Sequence, residues 1–168
     1  MKIYISTFYQ VRFFTPNMLP VSTAMWDPKW YHDFNGSGFV FYDKRGIVNG
    51  YRYEPFNFPN HYWDELVKEH QECQKNCPFK DMAPECEFMK KYQEYLKTID
   101  FNKMLKYFES VKENMPKIDT IVLLVHESPM CPCAERPILQ QWFKDHGIEL
   151  KEWDHKNSIN EFMEERNE

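Results

Sequence analysis

Three features of this 168-residue chain predict an α/β fold: one buried strand, the helix after it, and the strand that follows. Within Ile118–His126, the run Ile121-Val122-Leu123-Leu124-Val125 is apolar without interruption, the pattern of a strand covered on both faces. Pro137–His146 then carries Ile138, Leu139, Trp142 and Phe143 at helical spacing, with Gly147 as a natural terminator. Ile148–Trp153 returns as a strand. Strand, helix, strand in this order is a βαβ unit, whose crossover is nearly always right-handed. The architecture expected is an open, mostly parallel sheet flanked by helices, a Rossmann-like three-layer arrangement.

The remaining elements follow in chain order. Lys2–Thr7 alternates and is rich in β-branched residues, so it reads as the first strand. Phe8–Pro20 is aromatic and irregular, and Pro16 and Pro20 argue against a regular element there. Val21–Met25 reads as a second strand that ends in the turn Trp26-Asp27-Pro28. Gly38–Asp43 reads as a third, and Gly50–Asn60, with Pro55 and Pro59, as a loop. A helical insertion spans about 60–116. Asn60 can cap its first helix, which places Trp63, Leu66, Val67 and His70 on one face. Cys73–Pro84 is a break, and a second helix starts near Pro84 with Phe88, Tyr92, Tyr95, Leu96 and Ile99 inward. Asp100 caps the third, which buries Phe101, Met104, Leu105, Phe108 and Val111. Ser158 with Glu161 forms a capping box for a short terminal helix. The length fits a single domain over residues 1–168.

Composition narrows the function classes. The chain is 42 % hydrophobic and 17 % aromatic, enough to fill its own core, and has no low-complexity tract. A formal charge of −5, with lysines diluted by acids on the same helices, argues against duplex nucleic acid as a partner. No stretch reaches the ~18 apolar residues of a membrane span, and Met1-Lys2 leads straight into a strand pattern, so a cytoplasmic location is expected. Five cysteines are an odd number, which favours free thiols, a metal site or a reactive thiol over a disulfide framework.

Ligands of open α/β sheets bind outside the carboxyl ends of the strands, which here means the loop from His126 to Arg136. A helix starting near Ala134 or Glu135 directs free N–H groups and its positive end toward Cys131 and Cys133, lowering a thiol's pKa. Cys133 is the candidate nucleophile or polar anchor, Arg136 the anion partner, and Glu127 or His126 the proton handler. The alternative for each residue is structural: a packed thiol, an internal salt bridge, a satisfied strand end. The spacing Cys-x-Cys-x-x-Arg resembles anion-cradling thiol loops, without their glycines.

Two further groups stand out. His70, Cys73, Cys77 and Cys86 supply four potential zinc ligands, or, less in keeping with their spacing, an iron–sulfur site; unpaired cysteines at helix ends fit equally. In Phe8–Trp30, the rings of Tyr9, Phe13, Phe14, Trp26 and Trp30 can stack on a base or fill the core, with Arg12 and Asp27 as polar candidates among them.

The order of Val21–Met25 with Trp26-Asp27-Pro28, Phe88-x3-Tyr92-x2-Tyr95-Leu96, Leu123-Leu124-Val125-His126-Glu127 and Cys133-Ala134-Glu135-Arg136 with Leu139 and Trp142 resembles domain-of-unknown-function family 488. The resemblance implies an α/β fold with its site at the Glu127 and Cys133 positions. The chain departs from the family pattern at Val125, where a cysteine is usual, and at Ala134-Glu135-Arg136, where the family has His-Arg directly after the cysteine. The family's early Asp-x-Arg has only Asp27 as a loose counterpart.

The function expected is that of an enzyme, or an enzyme-derived binder, for a small anionic ligand of nucleotide-like or phosphorylated type. Its ligand-binding residues would be Cys131, Asp27, Trp26 and Arg12. The alternatives are a zinc-stabilised module that meets a protein partner, or a protein that sequesters its ligand without chemistry.

Overall fold

The computed structural model describes residues 1–24, 26–31, 50–57, 87–127 and 135–157. Five strands, β1 (Lys2–Thr7), β2 (Met18–Ser22), β3 (Tyr51–Arg52), β4 (Thr120–Val125) and β5 (Lys151–Glu152), form one sheet in the order β3-β2-β4-β1-β5. All four pairings are parallel. β4 is central: it runs beside β1 from Lys2↔Thr120 to Thr7↔Val125, and beside β2 from Met18↔Thr120 to Ser22↔Leu124.

The apolar run in β4 is explained by what covers it. Ile121, Leu123 and Val125 join Ile5, Leu19 and Val21 in a cluster with α1 (Glu87–Leu96), α2 (Phe101–Asn114) and α3 (Glu135–Asp145). Tyr92, Leu96, Met104, Phe108, Leu139 and Phe143 are sealed within it. Asp100 caps α2 as its sequence implies, accepting the Lys103 N–H at 3.0 Å. On the opposite face Val122 and Leu124 pack with Phe8, Val11, Phe14, Met18, Ala24 and Tyr31. Among the described residues, that face is covered by a 3₁₀ turn (Phe8–Phe13) and the segment after β2, not by an α-helix.

Three expectations are corrected. Pro20 does not break a strand; it lies inside β2, which starts at Met18 rather than Val21. In a parallel strand successive residues direct their backbone groups to alternate sides. The Thr23 N–H donates to Leu124 O of β4, whereas Ser22 O accepts from Tyr53 N–H on the β3 side. Pro20 therefore faces the β3 side, where pairing begins only at Val21↔Tyr51, and its missing N–H forfeits no ladder bond. Its carbonyl and that of Tyr51 both accept the Tyr31 hydroxyl, at 3.0 and 2.7 Å. Second, Tyr51–Arg52 forms an edge strand within a stretch whose prolines suggest only a loop. Third, the return strand shrinks to Lys151–Glu152, and the Leu150 carbonyl before it accepts from Gln140 Nε2 at 3.1 Å. The strand over Gly38–Asp43, the helix from Asn60, its break and the Ser158 capping box lie outside the described residues.

Gly50 precedes β3 with φ +115°, and a Cβ there would sit 2.0 Å from Pro20 O and 2.9 Å from the Tyr31 hydroxyl oxygen. Gly147 ends α3 with φ +83° and has nothing within 4 Å of such a Cβ. Gly50→Ala is expected to cost about 3 kcal/mol or more, adding a clash to backbone strain, and Gly147→Ala about 1–2 kcal/mol from strain alone. Urea denaturation of the two variants checks the difference; equal costs would remove the close-approach argument.

Candidate functional site

Because every strand runs the same way, all five carboxyl ends meet at one edge of the sheet. β1 and β4 are neighbours, yet the chain leaves β1 through the 3₁₀ turn on one face and leaves β4 toward α3 on the other. Adjacent strands whose connections part in this way open a crevice between them. His126 and Glu127 follow β4 at this point, and Glu135 and Arg136 open α3 beside it.

Arg136 is the fixed point of the arrangement. Its side chain is buried, with the residue 4 % exposed. Nη1 donates to the Glu127 carbonyl at 2.7 Å, and Nε and Nη2 face Glu152 Oε2 and Oε1 at 2.7 and 3.3 Å. The hydrogen bond to Glu152 runs from Nη2, while Nε and Oε2 are in ion-pair contact without hydrogen-bond geometry, so the carboxylate balances the charge and Nη1 and Nη2 set the direction. Burial pushes the Glu152 carboxyl up, against the pull of Arg136. The expectation that Arg136 faces a ligand anion is thus replaced by an internal role: its guanidinium ties the end of β4 to the end of β5.

Next to it, the side chains of Glu127 and Glu135 face each other. Burial, and then the neighbouring Glu127 charge, push the Glu135 carboxyl up to about 8, although Arg136 draws it the other way. A carboxyl raised that far keeps its proton at neutral pH.

His126 is exposed and packs its ring 4.7 Å from that of Phe8. Its Nε2 is hydrogen-bonded to the carbonyl of Trp26. A carbonyl only accepts, so Nε2 carries the hydrogen and Nδ1 is the lone-pair nitrogen of the neutral ring. This contact brings the segment after β2 against the end of β4. The indole of Trp26 is 64 % exposed, and Trp30 and Tyr9 are exposed as well.

Asp27 lies at the carboxyl end of β2, as its sequence position implies, and it is engaged: Arg52 Nη1 stands 2.7 Å from Oδ1, and the Ser22 hydroxyl donates to the same oxygen. Arg52 Nη2 also donates to Ala24 O at 2.8 Å. Arg12 sits in the turn after β1, its guanidinium carbon 3.9 Å from the Tyr9 ring centre and its Nε donating to Tyr9 O. Phe13 stacks on His155 at 4.3 Å, and Phe14 is in the core.

Sequence reasoning missed Glu152 and Arg52. Arg136 carried the available signal. It shares a helical face with Leu139 and Phe143, and an arginine on an apolar face requires a buried acid. Nothing in the order Leu150-Lys151-Glu152-Trp153 distinguishes that acid from a solvated one. Cys131 and Cys133, and the zinc candidates His70, Cys73, Cys77 and Cys86, lie outside the described residues. Among the described residues no group of three or more His, Cys, Asp or Glu side chains is placed to hold a metal, and no helix is long and apolar enough to cross a membrane.

A carboxyl raised from its ordinary value of 4.5 to about 8 makes the folded state the better proton binder. Its share of stability is whole below pH 4.5 and is lost as pH rises through 8. Glu135→Gln, which keeps a donor and cannot ionise, is expected to match the wild type near pH 4 and to exceed it by roughly 1–3 kcal/mol near pH 9. Urea denaturation at both pH values checks this. Parallel pH profiles would mean that Glu135 titrates normally.

Comparison with protein-family models, curated proteins and solved structures returns no match for this chain.

Proposed function

We propose that the chain acts on, or binds, a small anionic ligand of nucleotide-like or phosphorylated type at the carboxyl edge of its sheet. The observation that carries this reading is the placement of two acids, Glu127 after the central strand and Glu135 at the start of α3, beside the Arg136 that binds the Glu127 carbonyl, with burial pushing the Glu135 carboxyl up to about 8. Such a pair can give a proton and take it back near neutral pH, the property required of a general acid–base group.

The local charge is less negative than the acids alone imply: the raised Glu135 carboxyl keeps its proton at neutral pH, and Arg136 offsets Glu152. The amino end of α3 adds its dipole to the same place. His126 presents Nδ1 beside the site, and Trp26, held to it through its carbonyl, is largely exposed next to it. Cys133, in the connection from β4 to α3, is the nucleophile or polar anchor of this reading, with Cys131 beside it.

A panel of nucleotides and sugar phosphates tested by ligand-induced thermal shift is expected to yield a stabilising compound. A site at a hundred times its Kd adds about 2.7 kcal/mol. Cys133→Ser is expected to abolish turnover or that stabilisation while the circular dichroism spectrum stays unchanged. Full function in Cys133→Ser removes the nucleophile role, and a panel with no stabilising member overturns the ligand class.

A further inference from the structure

On the sheet face opposite the three α-helices, exposed aromatic rings gather around one buried ring. That ring is Phe8, at the start of the 3₁₀ turn after β1. Trp30 and Tyr31 meet it edge-on at 6.3 and 5.3 Å, and the His126 ring lies 4.7 Å away. His126 in turn holds the Trp26 carbonyl. Tyr9, next to Phe8 in the turn, packs edge-on against Phe13 at 5.9 Å. Tyr9, Trp26 and Trp30 are 56, 64 and 47 % exposed, and among the described residues Met1 is the one other large apolar side chain left so open. A monomer seldom collects its exposed apolar rings in one place unless that place meets a partner.

Two opposite charges flank the same turn, and neither meets a counter-charge among the described residues. The Arg12 guanidinium lies over the Tyr9 ring, 3.9 Å from its centre, with Nε donating to Tyr9 O, and it forms no ion pair. Asp154 accepts from Gln10 Nε2 at 3.3 Å and from the Lys156 N–H at 2.8 Å, and no cation reaches it. Gln10 and Arg12 belong to one turn, and Phe13 of that turn stacks on His155 at 4.3 Å. Asp27 and Glu152, by contrast, each have an arginine.

We propose that this surface docks a second copy of the chain in a two-fold pairing, which buries Tyr9, Trp26 and Trp30 of both copies and sets each Arg12 against Asp154 of the partner subunit. A two-fold interface uses one patch twice, so the patch must carry its own complement. An unpaired cation and an unpaired acid on one turn meet that condition; a cation alone would call for an acidic partner of another kind. Tyrosine, tryptophan and arginine are also the residue types that dominate binding at interface centres. A stable pairing covers about 800 Å² on each partner. A buried tyrosine or tryptophan covers about 150–250 Å², so three partly exposed rings supply a substantial part of that area.

Sedimentation equilibrium of the full chain tests this. The wild type is expected to reach twice the mass of one chain, with a dissociation constant in or below the micromolar range. Arg12→Glu alters only an exposed side chain and sets two acids against each other, and it is expected to weaken the dimer about a hundredfold. Trp30→Ala is expected to weaken it about tenfold or more. Arg12→Asp combined with Asp154→Arg should recover association that either single change removes, a reversal that damage to the fold cannot give. A wild type that stays monomeric overturns the proposal and leaves the surface to a partner of another kind. A dimer that Arg12→Glu and Trp30→Ala both leave intact is held together elsewhere and overturns it as well. A double variant no better than the single ones overturns the pairing of Arg12 with Asp154.

Discussion

The structure depends on burying β4 from both sides. Ile121 to Val125 has no side chain that can face water, so each face of the strand needs a cover and each edge a parallel neighbour. The cover on one side is three helices and on the other an aromatic turn with the segment after β2. Parallel pairing at both edges requires the chain to leave the sheet at one end and cross back to re-enter it at the other each time. The same requirement collects the five carboxyl ends at one rim, with the connections from β1 and β4 leaving toward opposite faces. The crevice is therefore a by-product of hiding one apolar strand.

What the rim then has to solve is charge. Arg136 and Glu152 are removed from water together, and Asp27 pairs with Arg52 at the other end of the same rim. A buried ion pair contributes little net stability, but losing one member costs about 3–5 kcal/mol because the other is left uncompensated. The value of these pairs lies in direction. Asp27 and Arg52 link the turn after β2 to β3 through the Ala24 carbonyl, and Arg136 links β4, α3 and β5. Glu127 and Glu135 lie beside a cation already engaged by Glu152, and burial with the Glu127 charge outweighs Arg136 and holds the Glu135 carboxyl up.

How much of this was legible in the sequence follows from the range of each interaction. The runs over 2–7 and 121–125, the Asp100 cap and the apolar faces of α1, α2 and α3 are local patterns, and they correspond to the elements found. The rim was legible as a place, since a βαβ unit fixes which end of a strand meets a helix start. Pro20 and Tyr51–Arg52 were not legible. A proline's cost depends on which side of the strand its nitrogen faces, and a two-residue strand exists only because β2 is beside it. Glu152 was hidden for the same reason: its partner is 16 positions away and is set by strand order, which the sequence does not display.

Strand order also decides which acid each arginine meets. Here Asp27 meets Arg52 from a neighbouring strand, so an acid after the second strand gains its cation across the sheet rather than from two residues along. Likewise Arg136, three residues past Cys133, lies on the inner face of α3 with Leu139 and Phe143, where a guanidinium can only be stable against an acid from inside the fold. A one-residue displacement rotates a helical side chain by about 100°. That rotation separates the inner face of α3, where Arg136 meets Glu152, from its outer one.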